Sequence, residues 1–314
     1  MSDFESVDRE VAKWDPGFTQ RLINAAEPIA KLWFRFQVGG LESLPPNGGA
    51  LIVCNHSGGM LTPDVLIFAA AFYARFGYHR PFYTLGHDGM FVGPMADWLT
   101  RLGVIRASRE NTAKALQSGG VVLVFPGGIY DAYRPTLAEN VVDFNGRTGY
   151  VRSAIDAAVP IVPAVSIGGQ ESQLFLTRGT WMAKRLGLSR WRSNILPVTM
   201  GFPFGLSVIM PPNLPLPTKI VTEVGEPIDV TGFGDPPSVT DIDAHVRSVM
   251  QATLEGSPAS GVFPCWAKRK RPAASRYQPR STRRKAQPQC GFRRTLESWH
   301  RSPRGYRAGC GRRR

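Results

Sequence analysis

The residues best suited to chemistry are a histidine and an aspartate on either side of a glycine loop, His56 and Asp64, in the stretch Ala50-Leu51-Ile52-Val53-Cys54-Asn55-His56-Ser57-Gly58-Gly59-Met60-Leu61-Thr62-Pro63-Asp64. An imidazole has an unperturbed pKa near ~6.5, so it can draw a proton off a weakly acidic hydroxyl while that hydroxyl attacks. A carboxylate on the other ring nitrogen would fix the tautomer and stabilise the imidazolium. Backbone N–H groups around Ser57, Gly58 and Gly59 are candidate donors to a developing oxyanion. Two further stretches carry guanidinium groups or glycines that can meet a ligand. Gly103-Val104-Ile105-Arg106-Ala107-Ser108-Arg109 brings Arg106 and Arg109, and Phe125-Pro126-Gly127-Gly128 is followed by Asp131-Ala132-Tyr133-Arg134. Arginine can hold a phosphate in a forked geometry, and glycine lets backbone approach a ligand closely.

These residues must be held by an alternation of strands and helices. Leu51–Cys54 reads as a strand buried on both faces, since its apolar run does not alternate. Thr62-Pro63-Asp64 is a helix start, with a hydroxyl cap, proline at the first position and an acid in the first turn, leading into a helix over Asp64–Phe76. His56 then lies at the carboxyl end of a strand, where open α/β sheets place their ligands. Beyond it strands are predicted at Pro81–Leu85, Val104–Arg106, Val121–Phe125, Ile161–Ser166, Leu206–Met210 and Lys219–Val224. Helices are predicted at Pro94–Arg101, Glu110–Leu116, Val151–Ala157, Trp181–Leu186 and Asp241–Leu254, the last capped by Thr240. The expectation is an α/β fold: a mixed, mostly parallel sheet flanked by helices, preceded by an N-terminal amphipathic helical segment over 1–40 and followed by a disordered basic tail. His87-Asp88 is a second histidine–acid pair, but neighbours on a strand face opposite sides, so it reads as a loop feature at the sheet edge.

Four blocks carry a family resemblance: Asn55-His56 through Asp64, Gly103 through Asn111, Phe125-Pro126-Gly127-Gly128, and Val159-Pro160-Ile161-Val162-Pro163. In this order and at these separations they resemble the glycerolipid acyltransferases, the lysophospholipid-acyltransferase-like enzymes, over about residues 30–230. Pro-Gly-Gly in place of Pro-Glu-Gly, with Asp131-Ala132 after it, looks like the monoacylglycerol/diacylglycerol acyltransferase-like branch. The family has four residues between histidine and aspartate where this chain has seven. The resemblance implies acyl transfer from acyl-CoA to the hydroxyl of a glycerolipid or other lipid alcohol, with a lysophospholipid acyltransferase as the alternative. It assigns His56 as general base and Asp64 as its orienter. Ser57, Gly58, Gly59, Arg106, Arg109, Phe125, Pro126, Gly127, Gly128 and Arg134 are the substrate-binding candidates, and Arg106 reads equally as a solvated charge. Acyl-CoA is a co-substrate, and no cofactor or metal is expected.

Charge and cysteine divide the 314-residue chain. Residues 261–314 hold 17 Lys/Arg and one acid, Glu297, a net of +16, while the rest of the chain carries −2. The near-neutral body argues against nucleic acid as its partner. The tail leaves three readings open: a nucleic-acid-binding arm, a polybasic membrane arm, or an incidental extension. Three of four cysteines lie in it, and Cys54, inside an apolar strand, reads as a small buried hydrophobe in a reducing compartment. No signal peptide is evident and no apolar run reaches the ~20 residues of a spanning helix. A protein acting on membrane lipids would then sit peripherally, at the cytoplasmic face. The expected domains are 1–40, an acyltransferase domain over 41–256, and the tail over 257–314.

Overall fold

Five of the seven strands in the main sheet run parallel, and their carboxyl ends define one rim of the molecule. This computed structural model describes residues 10–138, 141–188, 194–208 and 212–256, and the expected basic tail lies outside them. In chain order the main elements are α1 (Pro16–Phe34), β1 (Gln37–Gly39), β2 (Ala50–Cys54), α2 (Pro63–Phe76), β3 (Phe82–Gly86) and α3 (Pro94–Arg101). Then come β4 (Val104–Arg106), α4 (Arg109–Gln117), β5 (Val121–Val124), α5 (Gly128–Ala132), α6 (Gly149–Ala157) and β6 (Ile161–Ile167). The chain continues through β7 (Leu174–Thr177), α7 (Thr180–Arg185), β8 (Val198–Gly201), β9 (Gly205–Val208), β10 (Val221–Val224) and α8 (Val239–Gly256).

The main sheet has the order β1-β10-β6-β2-β5-β3-β4. β10 pairs antiparallel with β6, and β1 runs parallel to β10, so the sheet is mixed at one edge only. β2 sits in the middle and explains its own sequence. Ala50, Ile52 and Cys54 pack with Phe68, Phe72 and Tyr73 of α2 on one face. Leu51 and Val53 pack with Leu116 of α4, Val151 and Ala154 of α6 and Met250 of α8 on the other. A strand covered on both sides has no reason to alternate. Cys54 is buried, and burial pushes its thiol pKa well above the ordinary value, with the charges of Asp64 and Asp131 adding to the effect.

The helices and strands expected between Leu51 and Ser166 fall within a residue or two of those observed. Elsewhere the structure differs in instructive places. The N-terminal helix ends at Phe34, where Arg35 takes a left-handed conformation (φ 42°), and Gln37–Gly39 then forms an edge strand. Thr62 also adopts a left-handed conformation (φ 39°) and makes no side-chain cap to α2, so its hydroxyl does not play the capping role expected. Ser238, not Thr240, accepts from the first turn of α8 through its hydroxyl, and the helix begins at Val239. Leu206–Met210 is observed as β9 over Gly205–Val208, with 209–211 outside the described residues. β9 joins β7 and β8 in a separate antiparallel sheet of order β7-β8-β9, and neither β7 nor β8 was anticipated. Both are four-residue segments, too short for a periodic signal.

Candidate active site

β2 ends at Cys54, and Asn55 extends its pairing with β6 by one side chain. The Asn55 amide donates to the Ser166 carbonyl (2.8 Å) and its oxygen accepts from the Ser166 N–H (2.8 Å). A side chain imitating strand backbone in this way fixes the direction in which the chain leaves the sheet. The next N–H, that of His56, donates to Asp131 Oδ2 at 2.7 Å. His56 is thus anchored by its neighbour's side chain and by its own N–H before its ring does anything.

The longer spacing to Asp64 is taken up by a compact turn. Gly58 and Gly59 have φ of 85° and 66°, a 3₁₀ turn spans Gly59–Leu61, and Thr62 follows with its own positive φ. A β-branched residue in that region is strained, and such strain persists only where its surroundings enforce it. Gly58 also faces the Pro63 ring so closely that a Cβ would lie 2.6 Å from Pro63 Cδ. The turn returns the chain so that Asp64, the second residue of α2, reaches the histidine.

Every oxygen of Asp64 is used. Oδ2 accepts from His56 Nδ1 (2.8 Å) and from the Ser57 N–H (3.0 Å), while Oδ1 accepts from the Val65 N–H (3.0 Å). A carboxylate can only accept, so Nδ1 carries the proton and the Nε2 lone pair of the neutral ring is left for chemistry. The His56 side chain is 13% exposed and stacks on Phe125, with ring centroids 4.3 Å apart. Burial disfavours the imidazolium, but the Asp64 charge and hydrogen bond, with Asp131 behind them, outweigh it and hold the His56 pKa above 6.5.

Asp131 completes the floor. It is 1% exposed, and its second oxygen pairs with the equally buried Arg134 guanidinium. Burial pushes the Asp131 pKa up, and Arg134 together with the His56 N–H pulls the other way. Beyond Phe125 lies a cavity of about 440 Å³ at the ends of β3 and β5, lined among others by His87, Arg109, Phe125, Tyr130 and Arg147. His56 is not part of that wall. Phe125 is common to both, stacked on the imidazole and also lining the cavity.

The predicted residues therefore separate. His56 and Asp64 meet. Arg109, Phe125, Pro126 and Gly128 line the cavity. Arg106 is away from it, paired with Glu10 and lying over the Phe91 ring. Arg134 does not reach the cavity either, since its guanidinium is buried against Asp131. The Ser57 N–H is spent on Asp64, which removes it as an oxyanion donor and leaves Gly58 and Gly59. Gly127 has a packing reason to be glycine: a Cβ there would lie 2.4 Å from the Asp131 Cβ. Gly127→Ala should accordingly lower the unfolding free energy by about 1–3 kcal/mol, read from the midpoint of urea denaturation.

Three residues matter more than their sequence signal suggested. Asp131 stood out only as a letter after Pro-Gly-Gly. His87, accepting from the Gly89 N–H at the end of β3, is a loop feature as expected, yet it also lines the cavity. Arg147 donates to the carbonyls of Pro126 (3.2 Å) and Gly127 (3.0 Å), bracing that turn from 20 residues away, and no local pattern marks it.

Comparison with known proteins places the chain among relatives. Residues 35–167 match the family described as Acyltransferase. An uncharacterized protein of Mycobacterium tuberculosis is 31% identical over 248 residues, covering 77% of this chain and 67% of that protein. A human protein described as a DGAT1/2-independent enzyme synthesizing storage lipids is 27% identical over 211 residues, 67% of this chain and 63% of its own length. Among solved structures, the 1-acyl-sn-glycerophosphate acyltransferase PlsC of Thermotoga maritima aligns at 17% identity with a TM-score of 0.46, covering 81% of this chain and 83% of the other.

Proposed function

The chain belongs to the glycerolipid acyltransferase family, and from that premise we propose that it moves a fatty acyl group from acyl-CoA to the hydroxyl of a glycerolipid or other lipid alcohol. The observation that carries the reading is the 2.8 Å contact of His56 Nδ1 with a carboxylate whose other bonds are all made, leaving Nε2 as the base. Nε2 takes the acceptor proton as the alcohol oxygen attacks the thioester carbon. The tetrahedral oxyanion is met by the Gly58 and Gly59 N–H groups. Its collapse re-forms the carbonyl and expels the coenzyme A thiolate, to which the imidazolium returns the proton. Thiol pKa values near ~8.5 make that departure undemanding.

Arg109, on the cavity wall at the start of α4, is the anchor for a phosphate of coenzyme A. Arg109→Ala should raise KM for acyl-CoA by about 10-fold with kcat little changed, since the contact is made equally in ground and transition states. A neutral acceptor is favoured by Gly127, which stands where most of the family carries a glutamate, and by the name of the human relative, which concerns storage lipids. The lysophospholipid alternative is told apart by substrate. Purified protein incubated with labelled acyl-CoA and a panel of monoacylglycerol, diacylglycerol and lysophosphatidate should label the neutral acceptors, and labelling of lysophosphatidate alone would select the alternative. No helix among the described residues is long and apolar enough to cross a membrane, and we place the protein peripherally, on the cytoplasmic face, where such acceptors reside.

The pH dependence follows from the raised His56 pKa. The ring is a base only when neutral, so kcat/KM should climb with pH through a limb lying above pH 6.5. Asp64→Asn removes the charge that favours the imidazolium, so its limb should move to lower pH while the rate falls. A limb that stays in place would detach Asp64 from the titration.

A further inference from the structure

The small sheet β7-β8-β9 is built inside out. Antiparallel sheets on a protein surface normally turn apolar side chains to the core and polar ones to water. Here Phe175, Thr199 and Ser207 are in register on the inner face, with Phe175 and Thr199 buried. Asn213, buried beneath, donates to the Ser207 hydroxyl (3.0 Å) and the Gly205 carbonyl (3.0 Å) and accepts from the Phe204 N–H (3.1 Å). The neighbouring register, Leu174 with Met200 and Leu206, faces out, and Leu206 is 68% exposed. The turn between β8 and β9 adds Phe202, 69% exposed, and Phe204. Leu214 and Leu216 follow in the next loop, where the Pro215 carbonyl accepts from Trp33 Nε1 of α1 (2.9 Å), beside the exposed Leu32.

A soluble surface rarely shows so many large apolar side chains together without an occupant. The charge around them indicates which occupant. From residue 172 to residue 222 the sequence contains no Asp or Glu and six Lys/Arg, and Lys184, Arg185 and Lys219 among them are exposed. Aromatic and aliphatic side chains borne on a stretch that carries cations and no acid suit the boundary between acyl chains and anionic headgroups. We propose that the outer face of β7-β8-β9 with the Phe202–Phe204 turn seats the protein on an anionic phospholipid bilayer. Asn213 holds the turn rigid, so little ordering is lost on contact. The proposal rests on the reading of a membrane-borne acceptor given above and names the surface that would reach it.

The test uses the full chain and sedimentation with vesicles of phosphatidylcholine containing about a third phosphatidylglycerol, in about 0.5 M salt to screen contributions from the basic tail. Phe202→Ser/Phe204→Ser and, separately, Met200→Thr/Leu206→Thr should each lower vesicle partition at least ~10-fold, while Val92→Ser, an exposed apolar residue elsewhere, should not. Acyl transfer to a short-chain acceptor in free solution should be unchanged in both pairs. Wild-type failure to sediment, or unaltered binding by both pairs, overturns the proposal. So does a vesicle-free dimer that the variants convert to monomer, which would make a second copy the occupant. If the wild type transfers no acyl group yet the variants lose the vesicles, the catalytic reading falls and the docking surface stands.

Discussion

Replacing His56 by alanine should cut acyl transfer by about 10²–10⁴-fold and leave the fold in place. The expectation of a large loss comes from the division of labour at the site. Among the described residues no other base touches the ring's outward nitrogen, and Asp64, with both oxygens engaged, cannot substitute. The expectation of an intact fold comes from where the residue's structural bonds lie. The contact to Asp131 is made by the His56 main-chain N–H, which alanine keeps, and the Ser57 N–H still holds Asp64. What is lost is the stacking on Phe125 and the charge-assisted bond to Asp64. The measurement is turnover of labelled acyl-CoA beside far-ultraviolet circular dichroism. Full turnover in the alanine variant would remove His56 from the mechanism.

The second large effect concerns stability. Asp131→Ala should cost about 3–5 kcal/mol, because it removes the carboxylate with which a buried guanidinium is paired. Arg134 is 3% exposed and pairs with that carboxylate inside the protein. Asp131→Leu combined with Arg134→Met removes both charges and should recover much of the loss, so the two substitutions will be strongly non-additive in urea unfolding. The double variant separates the roles of Asp131: stability would return, but the His56 N–H would still lack its 2.7 Å acceptor. Activity should therefore recover less than stability does. Equal recovery of both would make Asp131 a purely structural residue.

The sequence announced the middle of this fold better than its margins, and for physical reasons. β2, α2 and the parallel strands between Leu51 and Ser166 are long enough, or apolar enough, that burial itself writes the pattern. The site was legible to the extent that its residues lie at a strand end or a helix start: the juxtaposition of His56 and Asp64 could be read, and the glycines between them hinted that the extra residues could be folded away. Arg134 and Arg147 were not distinguishable, because a guanidinium that pairs with a buried acid looks the same in sequence as one facing a cavity. The structure gives them opposite places, Arg134 under the floor and Arg147 on the wall. β7 and β8 are not legible because segments of four residues are too short to carry a periodic signal.

Asp64 Oδ2 serves two donors at once, and that sets a limit on where a proton can travel. An oxygen already shared with a main-chain N–H is a poor resting place for a second hydrogen, so what the imidazole collects stays on the imidazole. In the proposed reaction its exit is back out through the nitrogen that received it, toward the departing sulfur. Each proposed cycle would then close within one ring, with nothing handed down into the protein and nothing to be reset before the next acyl chain arrives.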